Sequence, residues 1–125
     1  MTLLLDTHTL LWWLDDPALL SKAARNAIAN GKNAVYVSAA SAWEIAIKRA
    51  LGKLTVPDDL EAVLASNRFL PLAVTLRHAL ATFNLPPIHR DPFDRLLLAQ
   101  SKIEGLTFVS RDANVPLYGV QNIVA

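Results

Sequence analysis

The sequence predicts an α/β domain in which a central, mainly parallel sheet of four to five strands lies between helices on both faces. Two observations carry this expectation. Short apolar runs of strand length alternate with helical segments along the chain, and parallel strands need crossovers of that kind to be joined. The first run, Leu3 to Leu5, is apolar at every position rather than alternating, the pattern of a strand covered on both faces. Ligands of such sheets bind beyond the carboxyl ends of the strands. The residues that follow each strand are therefore the first place to look for chemistry.

The elements follow in order. After the Leu3 to Leu5 strand, Leu10, Leu11 and Leu14 at helical spacing place a helix over Thr7 to Leu14, ended by Asp15, Asp16 and Pro17. Ser21 to Ala29 reads as a second helix closed by Asn30 and Gly31, and Ala34 to Val37 as the second strand. A helix follows from about Ser38 to Leu51, with Gly52 as its stop. Pro57, Asp58 and Asp59 open another helix running to about Asn67. Phe69 to Val74 is strand-like, though Pro71 weakens it, and Thr75 to Phe83 is a further short helix. Asp91 and Pro92 are a strong helix start, cap and first position, for a helix that stops at Gly105. Leu106 to Ser110 is the fourth strand and Val120 to Val124 a weak fifth.

Bulk properties bound the function. At 125 residues the chain is expected to form one domain spanning 1–125, able to bury roughly two thirds of its unfolded surface. Its 53% hydrophobic and 18% charged content is apolar for so small a domain, and the excess suits a partner interface. A net charge of +1 excludes a broadly basic nucleic-acid face, so a nucleic acid would have to be steered locally. Absence of cysteine excludes a disulfide framework, thiolate zinc and a Cys nucleophile, and suits a reducing compartment. The N-terminal apolar run has no basic leader and is broken by Asp6, and no stretch approaches the ~20 apolar residues of a membrane span. A soluble cytoplasmic protein is expected.

Four acids stand at the ends of these elements: Asp6 after the first strand, Glu44 in the third helix, Asp94 in the helix begun by Asp91, and Asp112 after the fourth strand. Each has a structural explanation of its own. Asp6 can cap a helix, Asp94 can favour a helix dipole, and Asp112 can form an Asx turn. Ser41 and Glu44 match a capping box, unless the helix begins at Ser38, in which case Glu44 is free to face a cleft; both readings stand open. Jointly the acids say more, because the topology sends at least Asp6 and Asp112 to one sheet edge. Carboxylates gathered there repel one another unless a cation lies between them.

Other chemistry is poorly supported. His8, His78 and His89 lack metal-ligand spacing and are expected at the surface or behind a site, no GxSxG is present, and the glycines read as caps and turns. Of Trp12 and Trp13 one is expected in the core and one outward. Lys48, Arg49 and Lys53 read as a solvated helix end able to steer phosphates.

The strings DTHTLLWWL, VYVSAASAWEIAIKRALGKL, LPPIHRDPFDRLLLAQ and EGLTFVSRD, nearly end to end, closely resemble PIN-domain proteins, and specifically the VapC-type toxins of bacterial toxin–antitoxin pairs. The resemblance implies a PIN-like three-layer α/β/α sandwich and a ribonuclease dependent on one or two Mg2+ or Mn2+ ions. Its substrate would be RNA, its partner a cognate antitoxin, and its assembly a homodimer without membrane attachment. The catalytic, metal-holding acids become Asp6, Glu44, Asp94 and Asp112, with Asp6 and Asp94 expected as direct ligands and Glu44 and Asp112 through water. Asp91 matches the family string as a cap or a residue behind the site, and Ser110 matches a hydroxyl position able to touch a water or the metal. With net charge near zero, affinity for a nucleic acid calls for a local basic rim of Arg90, Arg95 and Arg111, unless Arg95 pairs with a carboxylate. Ile88 and Val115 depart from the subfamily, which commonly has His and an aromatic there; this touches substrate contacts more than metal binding. The rivals are a catalytically weak PIN-like partner-binding module and a receiver-like phospho-acceptor domain. The latter needs a Lys after a late strand, and none follows Leu106 to Ser110 or lies near Val120.

Overall fold

A computed structural model describes residues 1–125. Five strands, β1 (Thr2–Leu5), β2 (Ala34–Ser38), β3 (Leu70–Leu72), β4 (Thr107–Ser110) and β5 (Asn122–Val124), form one sheet in the order β3-β2-β1-β4-β5. All four pairings are parallel. From β1 the chain winds outward through β2 and β3, then crosses back to continue through β4 and β5. The direction of winding therefore reverses between β1 and β4, the point where such sheets open a crevice.

Six helices cover the sheet: α1 (Thr7–Asp15), α2 (Lys22–Ala29), α3 (Ala39–Ala50), α4 (Leu60–Ser66), α5 (Leu76–Ala81) and α6 (Pro92–Glu104). Strand alternation sorts the core into two layers. Leu3, Leu5, Val35, Val37 and Val109 pack with Leu10, Ala24, Ile28 and Ile45 on one face. Leu4 and Phe108 point to the other, against Leu97, Leu98 and Ala99 of α6. The result is the expected three-layer sandwich, and no helix is long and apolar enough to cross a membrane.

Helix α6 is begun as its sequence requires. The Asp91 carboxylate accepts the N–H groups of Phe93 and Asp94 at 2.8 and 3.4 Å, and Gly105 ends the helix in the left-handed region at φ 65°. The fifth strand starts at Asn122 rather than Val120 and α5 ends at Ala81 rather than Phe83, and two further elements are shorter than expected. The fourth helix begins at Leu60 rather than Pro57, because Asp59 accepts the Ala62 N–H at 3.0 Å and is its cap. The third strand shrinks to Leu70–Leu72 at the sheet edge, where Pro71 costs no ladder bond. Trp12 and Trp13 are both half-buried instead of dividing between core and surface.

His78 is not at the surface: only 2% is exposed. Its Nδ1 accepts the Thr75 N–H at 3.0 Å, and its Nε2 pairs with Glu104 at 2.8 Å, tying α5 to α6. Beside it Gln100 accepts the Ser38 hydroxyl at 2.6 Å and donates to the Ala73 carbonyl at 3.2 Å, which ties α6 to the start of α3. Leu97, wholly buried beneath α6, anchors the same helix. Leu97→Ala is expected to lower stability by about 3 kcal/mol, seen as a lower urea midpoint with an unchanged slope.

Candidate active site

Register puts the first acid in place. Leu5 pairs with Val109, and the Asp6 N–H donates to the Val109 carbonyl at 3.1 Å, so Asp6 leaves the sheet beside the end of β4. Its carboxylate accepts the Thr9 N–H at 2.8 Å. Capping α1 and lining the crevice are thus one placement, since a capping carboxylate keeps further lone pairs.

Asp94 lies in the first turn of α6 on the crevice wall, half-buried. Its carboxyl is pushed up to about 6, first by desolvation and then by the negative charges of Asp91 and Asp6; His89 opposes the shift and Glu44 adds slightly to it. Asp112 makes the expected Asx turn, accepting the Asn114 N–H at 2.8 Å, while its other oxygen bonds the His89 ring. Burial raises its carboxyl, but the Asn114 N–H and His89 outweigh burial and hold it below the ordinary value. Buried Ser110 accepts the Asp112 N–H at 3.2 Å and so shapes this turn.

His89 is fixed by more than Asp112. Its backbone N–H donates to the Tyr118 hydroxyl at 2.8 Å, and the same hydroxyl lies 2.6 Å from Nδ1. A hydroxyl that accepts one N–H has a single proton left to give. Given to Nδ1, it leaves the Nε2 hydrogen for Asp112. Sequence spacing did not single out this link, because its partners lie 29 and 23 residues along the chain.

Glu44 resolves the open question about its helix. Ser38 caps α3, accepting the Ala40 N–H at 3.0 Å, and Ser41 is wholly buried and bonded to Thr7 at 3.1 Å, so the capping-box reading fails. Glu44 is 7% exposed and paired with Lys48 at 2.9 Å. It borders a neighbouring hollow with Arg90 and Asp91 rather than the crevice itself.

The expected basic rim is only partly present. Arg95 donates to the carbonyls of Pro86 and Thr82, both at 2.8 Å, and so braces the loop before α6; its partners are carbonyls, not a carboxylate. Arg111 is bonded to the Ala125 and Leu19 carbonyls and lies 4.1 Å above the Trp12 ring. Arg90 is exposed.

The crevice measures about 200 Å³ and brings together Asp6, Asp94, Asp112, Ser110 and Arg111 with His8, Trp12 and His89 over an apolar floor of Leu98, Phe108 and Val115. Its donors are hard oxygens, the type that Mg2+ and Mn2+ take. As they lie, no three His, Asp or Glu side chains stand close enough to enclose an ion. Mg2+ keeps most of its water and needs only one or two carboxylates, so the donor set fits such an ion without being a closed cage.

A sign follows from Asp94. Between pH 3.8 and about 6 the unfolded chain has ionised this carboxyl while the folded chain still holds the proton, so its contribution to stability falls as pH rises. Asp94→Asn removes that loss. In metal-free buffer the variant is expected to be the more stable above pH 6, with the difference vanishing below pH 3.8; thermal melts across this range check it.

The sequence matches the PIN domain family over residues 3–120. No functionally curated protein matches it. Among solved structures, VapBC2 from Rickettsia felis bound to a DNA fragment from their promoter is similar with a TM-score of 0.71 and 13% identity, covering 99% of this chain and 98% of that one. FitAcB from Neisseria gonorrhoeae gives 0.65 and 19%, covering 97% and 96%. A toxin–antitoxin complex from Klebsiella pneumoniae gives 0.56 and 17%, covering 87% and 85%. With the family match spanning residues 3–120 of this 125-residue chain and the fold shared across those structures, the chain belongs to the PIN domain family.

Proposed function

We propose that this chain is a divalent-metal-dependent endoribonuclease and the toxin of a toxin–antitoxin pair, acting in the cytoplasm. The observation that carries the reading is the convergence of Asp6, Asp94 and Asp112 in one crevice at the winding reversal, with Asp94 held up to about 6 by burial and its acidic neighbours. Membership of a family whose domains are generally nucleases supports it, as does likeness of fold to toxin–antitoxin proteins.

One or two Mg2+ or Mn2+ ions would be held by Asp6 and Asp94 directly and by Asp112 through water, while Glu44, in the adjoining hollow, would add its charge. When bound, such an ion lowers the pKa of a coordinated water and stabilises charge on the phosphate under attack. The chain's own groups do the rest. Asp6 is aimed by its cap bond and Asp112 by Asn114 and His89. Asp94, with its proton affinity raised by burial and by the charges of Asp91 and Asp6, is the carboxyl whose ionised form a bound cation would relieve most. Glu44 neutralises Lys48 beside exposed Arg90, and Arg90 is the cation best placed to meet a phosphate.

Exposed apolar side chains support a protein partner. Trp43, Ile47 and Leu51 recur at a spacing of four along and just past α3, and Leu76, Leu80 and Phe83 line α5 and the turn after it. An antitoxin and a second copy of the chain are the proposed occupants. A catalytically weak binding module is the second reading, favoured by the open spacing of the acids.

Cleavage of RNA is expected to require added Mg2+ or Mn2+ and to stop with chelator. Asp6→Asn and Asp94→Asn should each remove it while folding normally; unimpaired cleavage by both variants sinks the assignment. His89→Ala should lower activity roughly tenfold to hundredfold by releasing Asp112, whereas His89→Gln, which keeps a donor near the Nε2 position, should recover much of it.

A further inference from the structure

The crevice has one wall that metal chemistry does not use. Along α1, the rings of His8 and Trp12 stack at 5.8 Å with 27° between their planes, one helical turn apart. The Arg111 guanidinium lies 4.1 Å above the Trp12 ring. Arg111 is itself fixed, donating through Nε and Nη2 to the Ala125 carbonyl at 3.2 and 2.9 Å and through Nη2 to Leu19. Trp12 is half-buried and His8 exposed, and all three border the crevice.

Resting on the nuclease reading, we infer that the exposed ring of His8, backed by Trp12, forms a stacking subsite for the base of an unpaired nucleotide of single-stranded RNA, beside the acids that act on its phosphate. Charge argues for the base rather than the backbone. Three carboxylates line the crevice, and the donors of its arginine that would fork a phosphate are spent on carbonyls. A strand drawn into so acidic a site must gain its hold elsewhere, and the flat faces of bases offer it on any sequence. Preorganisation argues the same way. Arg111 braces Trp12 from two distant segments of chain, so the platform is stiff before anything binds. The apolar floor of Leu98, Phe108 and Val115 suits the flat face of a base better than a phosphate. A paired base has both faces covered by its neighbours in the duplex, so the nucleotide taken is unpaired.

Binding tests this apart from cleavage. In the Asp94→Asn background, anisotropy of a short, labelled, unstructured RNA oligonucleotide reports its affinity. The expected results are a loss of roughly tenfold on adding His8→Ala, retention with His8→Phe, which keeps a flat ring, and little binding of the same sequence as duplex. An oligonucleotide of equal length with its bases removed should bind weakly and be indifferent to His8→Ala. Equal affinities with and without His8→Ala overturn the proposal. So do loss in His8→Phe matching that in His8→Ala, and base-free strands binding as well as intact ones. Metal-dependent cleavage of the same oligonucleotide by the unsubstituted protein is read separately. Its failure would count against the nuclease reading, while the binding pattern decides the subsite.

Discussion

Repulsion between carboxylates that the sheet delivers to one edge is the constraint on which the rest depends. The parallel register that pairs Leu5 with Val109 sends Asp6 and the turn carrying Asp112 out of the sheet side by side, and the capped start of α6 brings Asp94 to the same crevice. Each acid is answered differently. Asp6 is held by an N–H of the helix it caps, Asp112 by an N–H and a histidine, and Glu44 by a lysine one turn away. Asp94 has no such partner, and burial first and the charges of Asp91 and Asp6 next raise its proton affinity to about 6. A cation would relieve that repulsion, which is why the proposed metal belongs in this crevice although the acids as they lie do not close around one.

The same arrangement explains why structural and functional readings of these acids are not alternatives. A cap uses one lone pair of a carboxylate and fixes its direction. Asp6 and Asp112 are therefore aimed by the interactions that first made them look ordinary. Asp91 takes the capping duty at α6 and adds its charge to the field at Asp94.

Much of the fold was legible because it is locally encoded. Uninterrupted apolar strands, Asp91 with Pro92, and Gly105 past the last helical turn announce β1, β2, β4 and α6 within a few residues of each feature. Boundaries failed where two local signals competed: Pro57 and Asp59 both suit a helix start, and the bond from Ala62 decided for Asp59. The start of α3 was ambiguous for the same reason, and the bond from Ala40 to Ser38 settled it against a capping box at Glu44. The roles of His89, Tyr118, Trp12 and Arg111 were not legible. Their contacts join segments distant in sequence, and no spacing within one element signals them. Arg95, open in sequence between the rim and a structural pairing, takes a structural role with loop carbonyls as partners; a guanidinium that braces carbonyls looks, in sequence, the same as one that waits for phosphate.

Diffraction from crystals soaked in Mn2+, read as anomalous difference density, tests the central claim most directly. The account predicts a peak in the crevice in contact with Asp6 and Asp94, and its loss in Asp94→Asn. A saturating soak with no peak there, or with density only at acids elsewhere on the surface, would contradict it.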